Sequence, residues 1–230
     1  MAKKNFNRIL IVAAHPDDEI LGCAGTVARF VKEGAEAFTL ILGEGKTSRD
    51  KKRDVSHKKE EIDLLRKEIK KANSLIGVQD VFIRDLPDNR FDQLDLLDVV
   101  KEVEEVKKKI KPDIIFTHHE HDLNIDHLVT FRAVMTATRP MKDETVKELY
   151  SYEVMSSTEW RFPLTFSPNT FVDISKFIDS KLKAMAMYES ELCEYPHPRS
   201  LEGIKLVAQN WGMKTGVKYA EAFQLIRRIL

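Results

Sequence analysis

The feature that most constrains this chain is a short apolar run that ends abruptly in a histidine and three acidic residues. Residues 9–13 (Ile-Leu-Ile-Val-Ala) have the character of a buried strand, and Ala-His-Pro-Asp-Asp-Glu follows directly at residues 14–19. Carboxylates beside a buried strand are costly to dehydrate unless a cation or a reacting proton needs them. The pattern therefore predicts a chemical site where the first strand ends.

A second polar cluster lies about a hundred residues further along the chain. The apolar run at residues 114–116 leads into Thr-His-His-Glu-His-Asp-Leu-Asn-Ile-Asp-His at residues 117–127, which contains four of the seven histidines. Each cluster joins histidine to aspartate at the end of an apparent strand. The two clusters therefore indicate two halves of one metal site.

Length and composition limit the class of protein. A chain of 230 residues predicts one α/β domain, over 1–230, whose core needs no disulfide bonds. Basic and acidic residues both number 37, and this zero net charge argues against a general nucleic-acid binder. There are two cysteines, no signal peptide and no apolar run near 18 residues. We therefore expect a cytoplasmic protein without a membrane span.

The first half of the chain alternates strand and helix patterns, which predicts a Rossmann-like, mostly parallel sheet flanked by helices. In such sheets ligands bind outside the carboxyl ends of the strands, where both polar clusters fall. The second half is less regular, and its strand order cannot be read from the sequence. Predicted strands cover 9–13, 37–42, 81–84, 114–117, 148–154 and 170–173, with a late helix at 175–188.

The spacing within the two clusters suits a catalytic metal ion. His15 and Asp18 stand three positions apart, where the strand turns into a helix, and could face one cation. Asp17 could face a bound water or cap the helix that follows. His127 precedes the apolar-patterned segment 128–135, which places it at a helix N-terminus. Two histidines and one carboxylate leave a coordination position open, as in catalytic zinc sites.

The remaining histidines of the second cluster have a simpler interpretation. His118, His119 and His121 form a polar stretch with Glu120 between them. For at least two of the three we expect side chains in a solvated loop.

The two motifs together resemble the PIG-L/LmbE family of zinc-dependent N-deacetylases, which remove acetyl groups from N-acetylglucosamine-type sugars. The family pattern is carried by Ala-His-Pro-Asp-Asp-Glu at 14–19 and Asp-Leu-Asn-Ile-Asp-His at 122–127. The resemblance covers nearly the whole chain. Further blocks at 44–49, 66, 86–92, 156–160 and 195–200 resemble one bacterial branch of the family.

The resemblance implies a role for each matching residue. It implies one zinc ion per chain on His15, Asp18 and His127, with Asp17 as the general base that activates water. Asp126 would stand behind these groups and hold a histidine or the base in place.

One departure from the family pattern concerns the proton for the leaving amine. Many members have histidine where this chain has Asn124, and that histidine is usually assigned to the oxyanion or to amine protonation. Asparagine can donate a hydrogen bond to an oxyanion but cannot deliver a proton. The proton donor would then be His197, His121 or Asp17. In the last case Asp17 would act twice, first taking a proton from water and then giving one to the amine. We favour His197, since prolines on both sides restrict it, although an exposed turn would explain it equally.

Several polar residues are candidates for holding the substrate, because carboxylates and amides bind sugar hydroxyls and arginines bind phosphates. Arg66 could instead form an ion pair along its helix, for example with Glu61. Trp160 or Tyr195 could stack on a sugar ring or simply pack. The candidate substrate-binding residues are Arg49, Arg66, Asp88, Asn89 and Arg199.

The motifs and this resemblance thus predict a zinc-dependent hydrolase that removes an acetyl group from an N-acetylated amino sugar or sugar conjugate, and they leave a homo-oligomer open. Two alternatives remain open: an amidase for a larger acyl group, and a sugar-binding protein without catalysis. A nucleotide-binding Rossmann protein is disfavoured. It needs a glycine-rich turn after the first strand, where this chain has acidic residues that repel phosphate.

Overall fold

The computed structural model describes residues 8–48 and 53–230, whose strands form one sheet. The strands are β1 (Arg8–Ala13), β2 (Glu36–Gly43), β3 (Val78–Leu86), β4 (Ile114–His118), β5 (Glu148–Tyr152), β6 (Thr170–Asp173) and β7 (Ala220–Arg228). The helices are α1 (Asp18–Lys32), α2 (Lys59–Leu75), α3 (Leu96–Ile110), α4 (Ile125–Ala137), α5 (Ile178–Met185) and α6 (Leu201–Thr215). Short 3-10 turns occupy Phe91–Gln93 and Thr158–Trp160.

The strand order, β3-β2-β1-β4-β5-β7-β6, confirms the predicted mostly parallel sheet. Strands β1 to β5 pair in parallel, whereas β7 runs antiparallel to both β5 and β6. The chain moves from β1 outward to β2 and β3, then returns to β4 on the other side of β1. This reversal opens a crevice at the carboxyl ends of β1 and β4, the usual ligand position in such sheets.

Helices cover both faces of the sheet, which explains the continuous apolar run at residues 9–13. Ile9 and Ile11 belong to the core layer under α1, α2, α5 and α6, and Leu10 and Val12 belong to the layer under α3 and α4. All four side chains are fully buried. A strand buried on both faces has no polar side to alternate with, so its sequence is apolar throughout.

The second half differs from the sequence prediction in several places. The predicted helix at 175–188 is the shorter α5, and the predicted strand at 148–154 ends at Tyr152. Helix α6 and strand β7 are not among the elements predicted from the sequence. Strand β7 (Ala-Glu-Ala-Phe-Gln-Leu-Ile-Arg-Arg) mixes apolar and polar residues without strict alternation and ends in two arginines, so its sequence signal is weak. No helix in the described ranges combines the length and the apolar character needed to cross a bilayer.

A buried ion pair attaches helix α1 to the last strand. Lys181 and Glu221 are 2% and 4% exposed, and their Nζ and Oε1 atoms are 2.5 Å apart. The Lys181 ammonium also donates to the carbonyl of Leu21, while the Glu221 carboxylate accepts from the backbone N–H groups of Gly25 and Thr26. The pair therefore binds backbone groups in the middle of the helix that begins at the predicted site.

Removal of one partner tests the contribution of this ion pair to the stability of the fold. We expect Lys181→Met to lower the free energy of unfolding by about 3–5 kcal/mol, because Glu221 would be left as an uncompensated buried charge. The double change Lys181→Met/Glu221→Gln should recover part of this loss. Urea unfolding measures the effect, with the exposed Lys183→Met as the control from the same helix. Equal free energies of unfolding for Lys181→Met and Lys183→Met would contradict the expectation.

Candidate metal centre

The chain turns sharply at Asp17, between β1 and α1. Asp17 adopts a left-handed conformation with φ 94° and ψ −27° and occupies the N-cap position of α1, but its side chain makes no capping hydrogen bond. The alternative prediction that this carboxylate caps the helix is therefore wrong. Such a backbone is unfavourable for a residue with a side chain and is found most often at functional sites. Here it turns the carboxylate toward a cavity.

Three buried side chains from the two polar clusters converge beside this turn. The Oδ2 atom of Asp18 lies 3.4 Å from His15 Nδ1 and 3.3 Å from His127 Nε2. All three donor atoms lie within 4.8 Å of one another. A tetrahedral ion with bonds of about 2.0–2.1 Å holds its ligand atoms about 3.3 Å apart. The predicted ligand residues therefore fit one divalent ion in both chemistry and spacing.

Each of the two histidines has a carboxylate at its other ring nitrogen. His15 Nε2 is 3.0 Å from Asp126 Oδ2, and His127 Nδ1 is 3.0 Å from Asp122 Oδ1. The nitrogens that remain are the two that face Asp18. This arrangement of carboxylate, imidazole and metal-facing nitrogen is typical of protein metal sites. The supporting role of Asp126 was predicted from the sequence, whereas that of Asp122 was not.

The charges in this cluster compensate one another. Burial alone would lower the pKa of His127, but the carboxylates of Asp18 and Asp122 outweigh it and raise that pKa to about 9. Burial opposes charge on His15 too, yet Asp126 and Asp18 hold its pKa well above the usual value. Both imidazoles therefore carry protons that a metal ion would displace on binding.

The other histidines of the second cluster depart from the prediction. His118 and His119 are buried, and only His121 of the three is exposed. The solvated-loop prediction is therefore wrong for His118 and His119. His118, the last residue of β4, is fully buried beside the proposed ligands, where Nε2 accepts the N–H of Ala14 at 2.8 Å and lies 3.5 Å from Asp18 Oδ2. Its ring stacks on His127 with centroids 3.9 Å apart.

Glu19 is a buried carboxyl that the sequence analysis did not assign. Its Oε2 accepts the backbone N–H of Asp17 at 3.1 Å, and its Oε1 accepts from Tyr188 Oη at 2.5 Å and Asn73 Nδ2 at 2.8 Å. Burial raises the pKa of Glu19 to about 7. The group helps to hold the unusual backbone of Asp17. Asn73 on the buried stripe of α2 was the available signal for this network.

A cavity of about 490 Å³ opens over the donor atoms. Three of the predicted substrate-binding residues line it, namely Asp88, Asn89 and Arg199. Arg66 does not line the cavity, and its exposed guanidinium pairs with Asp85 at 2.6 Å rather than with a residue of its own helix. The fifth candidate, Arg49, lies outside the described residues.

Arg199 connects the base candidate to the wall of the cavity. Its Nη1 lies 3.3 Å from Asp17 Oδ2 and 3.7 Å from Glu191 Oε2, and Glu191 also accepts from Lys46 Nζ at 2.7 Å. Burial and the charge of Asp18 raise the pKa of Asp17 well above its usual value, against the lowering effect of Arg199. A carboxyl group in this environment takes up a proton readily.

His197 lies next to this arginine but is not part of the cavity wall. Its Nδ1 accepts the backbone N–H of Arg199 at 3.2 Å, and its ring contacts Trp160 edge-on with centroids 5.6 Å apart. These contacts stabilise the turn that places Arg199 at the cavity wall. Trp160 and Tyr195 are 45% and 57% exposed.

Asn124 has a structural role as well as a place on the cavity wall. It is the N-cap of α4, where Oδ1 accepts the N–H of Asp126 at 2.8 Å, and its Nδ2 donates to Asn89 Oδ1 at 2.9 Å. An amide group carries two N–H donors, and Asn89 takes one of them.

The capping role can be measured separately from any chemistry. We expect Asn124→Ala to lower the free energy of unfolding by about 1 kcal/mol, because the helix loses its side-chain cap. Asn124→Ser should keep nearly the full stability, because serine caps helices as well as asparagine does. Urea unfolding of both variants provides the measurement. If the alanine and serine variants were equally stable, the cap would have no energetic role.

Known proteins resemble this chain in sequence and in fold. The family profile described as PIG-L: GlcNAc-PI de-N-acetylase matches residues 10–138. The diacetylchitobiose deacetylase of Thermococcus kodakarensis is 25% identical over 232 residues, which cover 96% of this chain and 84% of that protein.

Two solved structures share the fold at lower identity. The N,N'-diacetylchitobiose deacetylase of Pyrococcus horikoshii superposes with a TM-score of 0.78 at 21% identity, covering 97% of this chain and 85% of that one. The 4-carboxy-2-hydroxymuconate hydratase GalB of Pseudomonas putida also gives a TM-score of 0.78, at 20% identity over 97% and 98% of the two chains. The fold therefore accommodates more than one chemistry, and the side chains of the site must decide the function.

Proposed function

Since this chain belongs to the PIG-L (GlcNAc-PI de-N-acetylase) family, we propose that it is a zinc-dependent hydrolase that removes the acetyl group from an N-acetylated amino sugar or sugar conjugate. The observation that carries the proposal is the convergence of His15, Asp18 and His127 beside Asp17 at the base of one cavity. Relatives that deacetylate sugars support the choice of substrate class.

The metal would be held by His15, Asp18 and His127. Three protein ligands leave a coordination position open, as catalytic zinc sites require. When bound, a zinc ion makes hydroxide available near neutral pH and polarises a carbonyl group.

Asp17 is the proposed general base. It faces the cavity, its backbone is held by Glu19, and burial raises its pKa. It would take the proton from the water that attacks the acetyl carbonyl, and the C–N bond would then break to release acetate and a free amine. The amine must receive a proton. Asp17 is favoured over His197 for this second transfer, because His197 does not line the cavity.

The remaining wall of the cavity supplies polar groups for the substrate. We assign sugar hydroxyls to Asp88 and Asn89, and a hydrogen bond to the developing oxyanion to Asn124. Arg199 would bind substrate oxygens from the side of Asp17. The backbone N–H of Ser48 donates to Asp88 Oδ2 at 3.2 Å and orients that carboxylate.

Metal analysis tests the ligand assignment. The purified protein should contain about one zinc ion per chain, and His127→Ala should lose most of it, because the remaining ligands are too few to hold the ion. Elemental analysis by mass spectrometry measures the content. The control is His121→Ala, which removes an exposed imidazole of the same segment. Full metal retention in both His15→Ala and His127→Ala would remove the basis of the proposal.

The turnover rate, together with the metal content, distinguishes the proposed base Asp17 from the neighbouring proposed ligand Asp18. We expect Asp17→Asn to keep its metal but to lose about 10²–10⁴ in rate, as removal of a general base does. Asp18→Ala should lose both metal and activity. The assay is free-amine release from a panel of N-acetyl sugars and their conjugates, with the exposed Asp143→Asn as control. Undiminished turnover in Asp17→Asn would exclude the base role, and binding without hydrolysis would indicate a sugar-binding protein.

A further inference from the structure

The proposed metal ligand His127 is supported by a buried carboxylate from the loop before α4. Asp122 is 2% exposed, and its Oδ1 lies 3.0 Å from His127 Nδ1. The same oxygen accepts the backbone N–H of Asn124 at 2.9 Å. His127 Nε2 lies 3.3 Å from Asp18 Oδ2, so the carboxylates of Asp122 and Asp18 hold the ring between them, with Nε2 directed toward the proposed metal position. The Asp122 carboxylate therefore holds both the imidazole ring of His127 and the backbone at the start of α4.

Two hydroxyl groups in turn hold the Asp122 carboxylate. Ser157 Oγ donates a short hydrogen bond to Asp122 Oδ1, and Thr158 Oγ1 donates to Asp122 Oδ2 at 2.5 Å. Both residues follow β5 and are buried, and they are 35 and 36 positions from Asp122 in sequence. Thr158 Oγ1 is itself fixed, because it accepts the backbone N–H of Val154 at 2.8 Å.

The other histidine ligand is supported in a different way. Asp126, which contacts His15, is held through Oδ1 by the backbone N–H of Phe91 at 2.9 Å. Asp122 also accepts a backbone N–H, from Asn124, but its two hydroxyl donors depend on particular side chains, whereas a backbone donor does not. The support of His127 is therefore the one that a conservative substitution can release.

We propose that Ser157 and Thr158 are positioning residues of the metal centre, which act through Asp122 to hold the imidazole of His127 in its metal-binding orientation. This inference rests on the metal site of the proposed function. Ser157 also lines the cavity, so the segment that anchors His127 is in contact with the space where the substrate would bind. The segment after β5 thereby contributes to a site otherwise built from the ends of β1 and β4.

The affinity for zinc alone, without substrate, is the first readout. The double variant Ser157→Ala/Thr158→Val keeps the approximate shape of both side chains but removes both donors. We expect its zinc dissociation constant, measured by competition with a chromophoric chelator, to rise about 10–100-fold. Thr158→Ser should restore most of the affinity lost in Thr158→Val. The control Thr130→Val removes a buried hydroxyl of α4 that has no hydrogen-bond partner and should leave the constant unchanged.

Nitrogen-15 NMR of the imidazoles in the metal-free protein is the second readout. The Nδ1–H signal of His127 should be protected from exchange in the wild type and lost in the double variant, while the folded amide spectrum persists. A dissociation constant within twofold of wild type together with a retained Nδ1–H signal would overturn the proposal. If the wild type bound no zinc, the proposed function would fail, and the ring signal would still decide the positioning role.

Discussion

The parallel pairing of β1 with β4 is the constraint on which the rest of the site depends. Ile9, Leu10 and Ile11 pair with Ile114, Ile115 and Phe116, so both strands end at the same edge of the sheet. The two polar segments that follow are about a hundred residues apart in sequence, yet they meet there. The contact between the N–H of Ala14 and His118 joins the strand ends directly. Apolar burial on both faces stabilises this register and thereby assembles the donor atoms.

A cluster of charges at this edge is tolerable only because each charge is compensated. Asp18 faces the imidazoles of His15, His127 and His118, and the first two each have a further carboxylate at their second nitrogen. Buried charges without partners are strongly destabilising, so the network must form as a unit. The same requirement makes it a good receptor for a divalent cation, which can replace the protons of His15 and His127 without changing the carboxylates.

Sequence reasoning found the residues whose type and spacing carry chemistry. It identified the ligand candidates His15, Asp18 and His127 and the neighbouring Asp17, and the structure brings these four together. It did not find the groups that hold them, because a buried aspartate such as Asp122 has no local pattern. Its partners Ser157 and Thr158 become its neighbours only when β5 pairs with β4.

The sequence by itself determined the parallel sheet, the strand ends and the candidate ligands, since apolar runs, helical periodicity and motif spacing are local properties of the chain. Only the tertiary structure decided the place of β7 and the burial of His118. It also decided that Arg66 faces Asp85 while Arg199 reaches Asp17. These outcomes depend on contacts between residues far apart in sequence. Such contacts arise from packing and charge compensation in three dimensions, which leave no periodic signal in the chain.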